Sequence, residues 1–504
     1  TGNCSGNIKY ILRYMMADFK PQDLSQLDKD RLSSYKSNLD FYGGSQWAKT
    51  SKNRQLVFNY SKIAVDKITS YLMNGLNYSF EPLANLVIES SNKIRAKPGN
   101  HVIASPDAIG AKQSFDNTPS PDLAKQAEAV VYQVLDQNNV VELDYATEID
   151  AAILGDGCYK VTWDAVEKRI RITAPDVNGL YAWWTGDDLT RVYQVACKYQ
   201  LTQDEILMLY KKTISKKTAY LTELWTIKDF VLFLDNDVID RKPNPYGFIP
   251  FIIFPNLRQP KEFWGISDIP PLQEPQKELN RALSQLSRIL EVSGNPIAVL
   301  EGVESSEDIQ VRPGAVWNIP PDTKAYLLDL LQGGGIRLHI DYINLVYQTM
   351  HDLSEAPRAA FGGMQHELSG VALEVELQSL LQKVNRKRLV RNNVYKRRNE
   401  MILQLWAKFM RQDLTAVSQK VIWGPVLPQD RAKEAQNEQL LVQSGVHSRR
   451  TAMDNLGVRD PELEFGKWMD ERMQILQQNN DFKAQSTQGG SRVRNTAADM
   501  QTVV

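Results

Sequence analysis

The stretch from Ser369 to about Met410 keeps a helical apolar pattern, and after Gly370 neither Gly nor Pro interrupts it. Leu373, Leu377, Leu380, Leu381 and Val384 form its stripe. At 1.5 Å per residue such a helix reaches about 60 Å. Helices of soluble globular proteins are usually far shorter. A large body, built from the rest of the chain or from other chains, must therefore support it.

Two further helical patterns frame a compact segment just upstream. The first follows Pro270, Pro271 and Pro275, with Leu279, Ala282, Leu283, Leu286, Ile289 and Leu290 on one stripe, and Gly294-Asn295-Pro296 stops it. The second runs from Ile336 to about Leu353 on Ile336, Ile340, Ile343, Tyr347 and Met350, and ends at Ala356-Pro357. Between them lie short strand patterns, IAVLE and AVWNI, with turns at Pro313-Gly314 and Pro320-Pro321. Such a pair would carry the compact segment on a stalk. One copy alone leaves the stalk poorly covered, whereas head-to-tail packing in a ring would bury its stripes on neighbours.

The remainder reads as α+β. Residues 1–150 are mostly helical, with Tyr60, Ile63, Ala64, Val65, Ile68, Tyr71 and Leu72 on one stripe. The Pro- and Gly-bearing segment from Ser90 to Asp122 is expected as a long loop, with Asp122 capping the next helix. Residues 157–254 alternate or are β-branched and aromatic, which predicts a strand-rich layer. Residues 431–478 return to helical periodicity, with Ser448 capping a short helix that Gly457 ends. The last residues, from Gln478 on, lack a core pattern and are expected to be disordered.

Composition narrows the function. Lys+Arg number 59 and Asp+Glu 60, a formal charge of −1. That argues against coating nucleic acid by bulk positive charge. No apolar run approaches the ~18 residues needed to span a bilayer. Lys9 and Arg13 interrupt the N-terminal apolar residues, a poor match to a signal peptide. Cys4, Cys158 and Cys197 are odd in number and widely spaced, which points to a reducing setting rather than a disulfide framework.

Catalytic motifs are lacking. The sequence contains no GxxxxGK[ST] phosphate loop, no HExxH and no CxxC. His101, His339, His351, His366 and His447 never fall at i,i+4, so no helical zinc pair is expected, and no metal or cofactor. Asp235-Asn236-Asp237 with Asp240 faintly resembles a calcium loop without its central Gly and terminal Glu. The flanking FVLFL and FIPFIIF favour a hairpin turn. The chain is expected not to be an enzyme.

The densest charge feature is Lys383, Arg386, Lys387, Arg388, Arg391, Lys396, Arg397 and Arg398, without an acid among them. Helical spacing spreads these cations around the axis. They read either as a solvated stretch paired with acids of a neighbouring subunit, or as a phosphate-binding segment.

Four motifs, in order, resemble tailed-bacteriophage portal proteins of siphophage type. Gly265, Ser267, Asp268 and Asn280 in GISDIPPLQEPQKELNRALSQLSRIL are similar to the start of the portal stem. GFIPFIIFPN, from Gly247 to Asn256, resembles the strand that closes the portal wing. Ser369–Glu374 resembles the opening of the long helix after the tunnel loop, with Glu374 where the family often has Lys. SGVHSRRTAMDNLGVRDPELE, from Ser444 to Glu464, resembles the crown's helix–turn–helix.

The resemblance implies a portal fold: an α+β wing over 1–266, stem helices over 267–293 and 335–356, and a small α/β clip over 294–334. A tunnel loop would cover 357–368, a long wing helix 369–410 and a helical crown 411–478, with a disordered tail over 479–504. It implies a homo-oligomeric ring of about twelve subunits at one capsid vertex of the virion, assembled in the host cytoplasm. Double-stranded DNA would be packaged and ejected through it. The partners would be a separate terminase ATPase, the major capsid and scaffolding proteins and a head–tail adaptor, with no membrane. Arg358, Phe361, Gly362, Gly363, Met364, Gln365 and His366 would form the loop facing the channel, and Lys277, Arg281, Arg288 and Arg337 would face it from the stem. Two rival readings stand beside this one: a nucleic-acid-binding structural protein of another kind, gripping with residues 383–398, and a divergent metal-dependent nuclease or transferase using Asp235, Asp237 and Asp240.

Overall fold

The computed structural model describes residues 19–47, 56–82, 121–186, 188–294, 297–301, 324–328, 335–363, 370–426, 431–458, 461 and 464–478. The chain divides into two units, Thr1–Val426 and Leu427–Val504.

After a 3-10 turn (Pro21–Asp23) and a single helical turn (Leu24–Leu27), the first unit has helices α1 (Lys29–Tyr42) and α2 (Tyr60–Leu72). Asn59 caps α2 by accepting the Lys62 N–H. Strand β1 (Asn77–Pro82) follows, then α3 (Pro121–Gln137) and α4 (Val140–Leu154). α3 begins at Pro121, so Asp122 lies in its first turn rather than at its cap.

The strand-rich layer forms two sheets. β2 (Asp156–Asp164), β3 (Arg169–Thr173) and β9 (Phe251–Pro255) pair antiparallel in the order β3-β2-β9. β4 (Leu180–Thr185), β5 (Asp188–Thr202), β6 (Thr218–Thr226), β7 (Asp229–Leu234) and β8 (Asp237–Pro243) form an antiparallel meander. Helix α5 (Gln203–Tyr210) interrupts it, opened by a Thr202/Glu205 capping box. Asp235 and Asn236 are the turn of the β7–β8 hairpin. Asp235 accepts the Tyr220 N–H and Asp240 pairs with Lys242, so these acids serve the hairpin. Cys158 and Cys197 are buried and free.

A short ladder of β10 (Leu257–Arg258) and β11 (Gly265–Ile266) leads into α6 (Pro270–Gly294). β12 (Ile297–Glu301) pairs antiparallel with β13 (Lys324–Leu328), and α7 (Gly335–Ser354) returns against α6. The AVWNI pattern lies outside the described residues.

The expected long helix is two: α8 (Gly370–Glu376) and α9 (Gln378–Met410), parted at Leu377. Leu377, Leu380 and Val384 are buried, as their stripe requires. α9 is wrapped by α2, α3, β2, β9 and β14 (Val417–Ile422). This explains how the chain supports so long a helix: α9 runs through the core, beside Tyr159, Phe254 and Val131. β14 pairs antiparallel with β1, so residues 411–426 belong to the first unit and not, as expected, to the crown.

The second unit contains α10 (Arg431–Gln443) and α11 (Arg449–Asn455), and residues 464–478 are helical. Ser448 caps α11 by accepting the Thr451 N–H, and Gly457 follows its end at a positive φ. The expected disordered tail and the Ser90–Asp122 loop up to residue 120 lie outside the described residues.

Candidate functional site: the foot of the paired helices

Gly265, Ser267, Asp268 and Asn280 each perform one task at the start of α6. Gly155 ends α4 in the left-handed region, and a Cβ on Gly265 would lie 2.3 Å from the Gly155 carbonyl oxygen. Only Gly lets the two backbones approach so closely. The Ser267 hydroxyl lies 3.1 and 2.6 Å from the carbonyls of Ala152 and Ile153, and it accepts the Ile269 N–H. It thus caps α4 and starts α6 with one side chain. Asn280 accepts the Phe58 N–H at 2.9 Å and donates to Gln46, tying α6 to the segment before α2.

Asp268 is buried between two cations of α9. It pairs with Lys387 and, at 3.2 Å, with Lys383. Lys383 also donates to the Ser354 carbonyl at 2.9 Å, so one ammonium holds the feet of both α6 and α7. Burial alone would raise the Asp268 carboxyl; the Lys387 and Lys383 ammoniums outweigh it and hold the group well below the usual carboxylate range. Burial also lowers Lys387, to about 8, against the attraction of Asp268.

The rest of the basic segment departs from both expected readings. Arg391 grips Glu148 at 2.7–3.0 Å and donates to the carbonyls of Pro255 and Asn256. Arg398 pairs with Asp144 and donates to the Tyr78 hydroxyl at 2.7 Å. Arg388 is spent on the carbonyls of Leu72 and Gly424. Five of the eight cations are thus buried inside their own subunit, unavailable to phosphate or to a neighbour's acids. Lys383, Lys387, Arg391 and Arg398 recur at i, i+4, i+8 and i+15, so they line one face after all. Only Arg386, Lys396 and Arg397 reach solvent; Arg386 pairs with Glu355 and Arg397 with Glu400. The partners Asp144 and Glu148 were missed. Their signal was that, of the four acids on this helix, these two stand at i,i+4.

The paired helices meet through Leu279, Val346 and Met350, flanked by Tyr60, Leu283, Ile343 and Tyr347. The Tyr342 hydroxyl donates to Glu278 at 2.7 Å. Ile340, expected in this seam, is exposed, and Val346 takes the inner position. Lys277, Arg281 and Arg288 share one outward face of α6, where Lys277 pairs with Glu274 and Arg281 with Glu278. Arg337 is exposed on α7.

Of the expected tunnel loop, residues to Gly363 are described; Met364, Gln365 and His366 lie outside the described residues. Arg358–Phe361 forms a 3-10 turn, and Gly362 follows at a φ of 82°. Phe361 was expected in the loop facing the channel. It is half-buried, its ring 5.2 Å from His351, which stacks edge-on against Tyr347. The Arg358 guanidinium lies 5.9 Å from the Tyr347 ring and is exposed. The turn therefore packs back on the foot of α7.

This joint, two antiparallel helices footed on a long core helix, is what the stem motifs build. Residues 114–478 match the family described as phage portal protein, SPP1 Gp6-like. The chain belongs to this family of phage portal proteins. Portal proteins are structural components of the phage capsid that form an oligomeric ring. No curated protein matches the sequence. Among the described residues, no helix is long and apolar enough to cross a membrane.

Proposed function

We propose that the chain assembles into a closed ring of about a dozen subunits around a passage for double-stranded DNA. The outward face of α7 carries this reading. Leu338 and Leu345 are 70% and 59% exposed, and Tyr342 and Leu353 extend the stripe at i, i+4, i+7 and i+15. An apolar stripe on an already paired helix calls for a further partner. Head-to-tail copies supply one at every subunit.

DNA would be packaged and ejected along the ring axis. The loop 357–368 would face it, with Arg358 the cation nearest the described turn. Near-zero net charge suits a conduit, because a strongly cationic wall would hold the duplex. A separate terminase would supply ATP hydrolysis, and capsid, scaffolding and head–tail adaptor proteins would dock on the ring. The rival grip by residues 383–398 loses its main residues to the core.

Native mass of the purified chain is the test. A ring of about a dozen subunits is expected; a stable, folded monomer at all concentrations overturns the proposal. The ring should also turn over no ATP, with or without DNA, because the chain has no phosphate loop.

A further inference from the structure

Helix α5 is an uncovered knob on the meander. Its Ile206 is buried, while Leu207, Met208 and Leu209 are exposed, Met208 to 77%. At 3.6 residues per turn, three consecutive side chains span about 200° of the helix surface. A flat surface, such as a membrane or the side of a duplex, cannot cover all three at once; a concave one can. Lys211, Lys212, Lys216 and Lys217 follow directly and are exposed. Among the described residues Lys211, Lys212 and Lys217 make no ion pair, and Lys216 reaches Asp235 only at 3.9 Å.

The same unit carries a matching hollow. A groove of about 1140 Å³ lies between the start of β1 and helices α3 and α4. Leu76, Tyr132, Leu135, Val141, Tyr145 and Ile149 give it an apolar lining, and Val141 is 87% exposed. Its charged lining residues, among those described, are all acids. Asp144 is already paired with Arg398, whereas Asp136 and Glu142 are exposed and, among the described residues, unpaired. No described residue of α5 or of the meander lines the groove, so a chain does not fill it with its own knob. Single exposed apolar residues need no cover, but a cluster of three marks a contact. Knob and groove complement each other in shape, in apolar character and in the sign of their rims. A knob and a hole at separate places on one chain make a heterologous contact, which repeats head to tail and can close into a ring.

We propose that α5 of one subunit seats Leu207, Met208 and Leu209 in the β1–α3–α4 groove of the next, with its lysines facing Asp136 and Glu142 at the rim. The three apolar side chains supply the burial, and the lysines keep their ammoniums at the edge, where they select the acidic groove. The inference rests on the ring reading and adds one contact that would close it.

Native mass of the full chain and cross-linking test it together. Met208→Asp should raise the concentration at half-assembly by about tenfold or more, because it brings a carboxylate into an apolar groove beside two acids. Circular dichroism checks that the variant is folded. In a chain carrying both Met208→Cys and Val141→Cys, a short bismaleimide should give a ladder of covalent oligomers on a denaturing gel. Neither single-cysteine variant should do so, and the parent, whose Cys158 and Cys197 are buried, is the control. Should Met208→Asp fail to fold, the ladder decides alone. A ring that gives no ladder, or one that assembles like the parent with a folded Met208→Asp, overturns the pairing and leaves the ring standing. In the assembled ring, Val141→Cys should also react slowly with maleimide; full reactivity shows an open groove and overturns the pairing too. A parent chain that stays monomeric overturns the ring reading and this inference with it.

Discussion

Lys383 bonds the Ser354 carbonyl at 2.9 Å and the Asp268 carboxylate at 3.2 Å. One buried ammonium on the long helix thereby fixes the last residue of α7 and the approach to α6. The contact joins the feet of the two helices in addition to their direct seam through Leu279, Val346 and Met350.

Asp268→Asn should be severe. It leaves Lys383 and Lys387 buried without a counter-charge, and breaking a buried pair from one side costs about 3–5 kcal/mol. Arg397→Gln, which breaks an exposed pair with Glu400, should cost no more than about 0.5 kcal/mol. Urea unfolding of the two variants measures the contrast. Similar midpoints would show that the burial of Asp268 has no energetic consequence.

Asp156 gives a pH dependence. Burial raises its carboxyl to about 6, against the lowering effect of the Tyr35 hydroxyl and the Gly265 N–H. The folded state therefore keeps a proton that the unfolded chain releases near its ordinary value of about 4. Between those values the unfolded chain binds fewer protons, so this group's contribution falls as pH rises and is level above about 6. Relative to Asp156→Asn, the parent should gain up to about 3 kcal/mol on going from pH 7 to pH 4. A stability difference that is flat across this range contradicts the assignment.

Gly265→Ala should loosen the joint. The added Cβ would meet the Gly155 carbonyl and Pro255, both backbone-anchored. Overpacking of this kind costs about 1–3 kcal/mol. Thermal unfolding should report a clear drop, and no drop would mean that the two backbone segments part easily.

Phe361→Ser should lower stability by about 1–2 kcal/mol, since a half-buried ring contributes roughly half the transfer energy of a fully buried one. An unchanged melting temperature would mean that the Phe361 side chain does not pack on His351 in solution.

Much of the architecture is legible in the sequence because it depends on local rules. The periodicity around Leu279, Tyr347 and Val384 marks helices, and alternation marks the strands from Cys158 to Phe254. Asn59, Thr202 and Ser448 cap helices with atoms only a few residues away. The break at Leu377 is not legible, since neither Gly nor Pro announces it.

The sequence by itself determined the helices, the sheets, the lack of catalytic motifs and the order of the stem motifs. Only the tertiary structure decided what the charges do. Lys383, Lys387, Arg391 and Arg398 look like a solvated or phosphate-binding run because their acids lie elsewhere in the chain. Folding brings Asp268, Glu148 and Asp144 to them. A charge enters the interior only where a counter-charge or hydrogen-bonding carbonyls meet it. That pairing belongs to contacts between distant segments, and no local pattern records it.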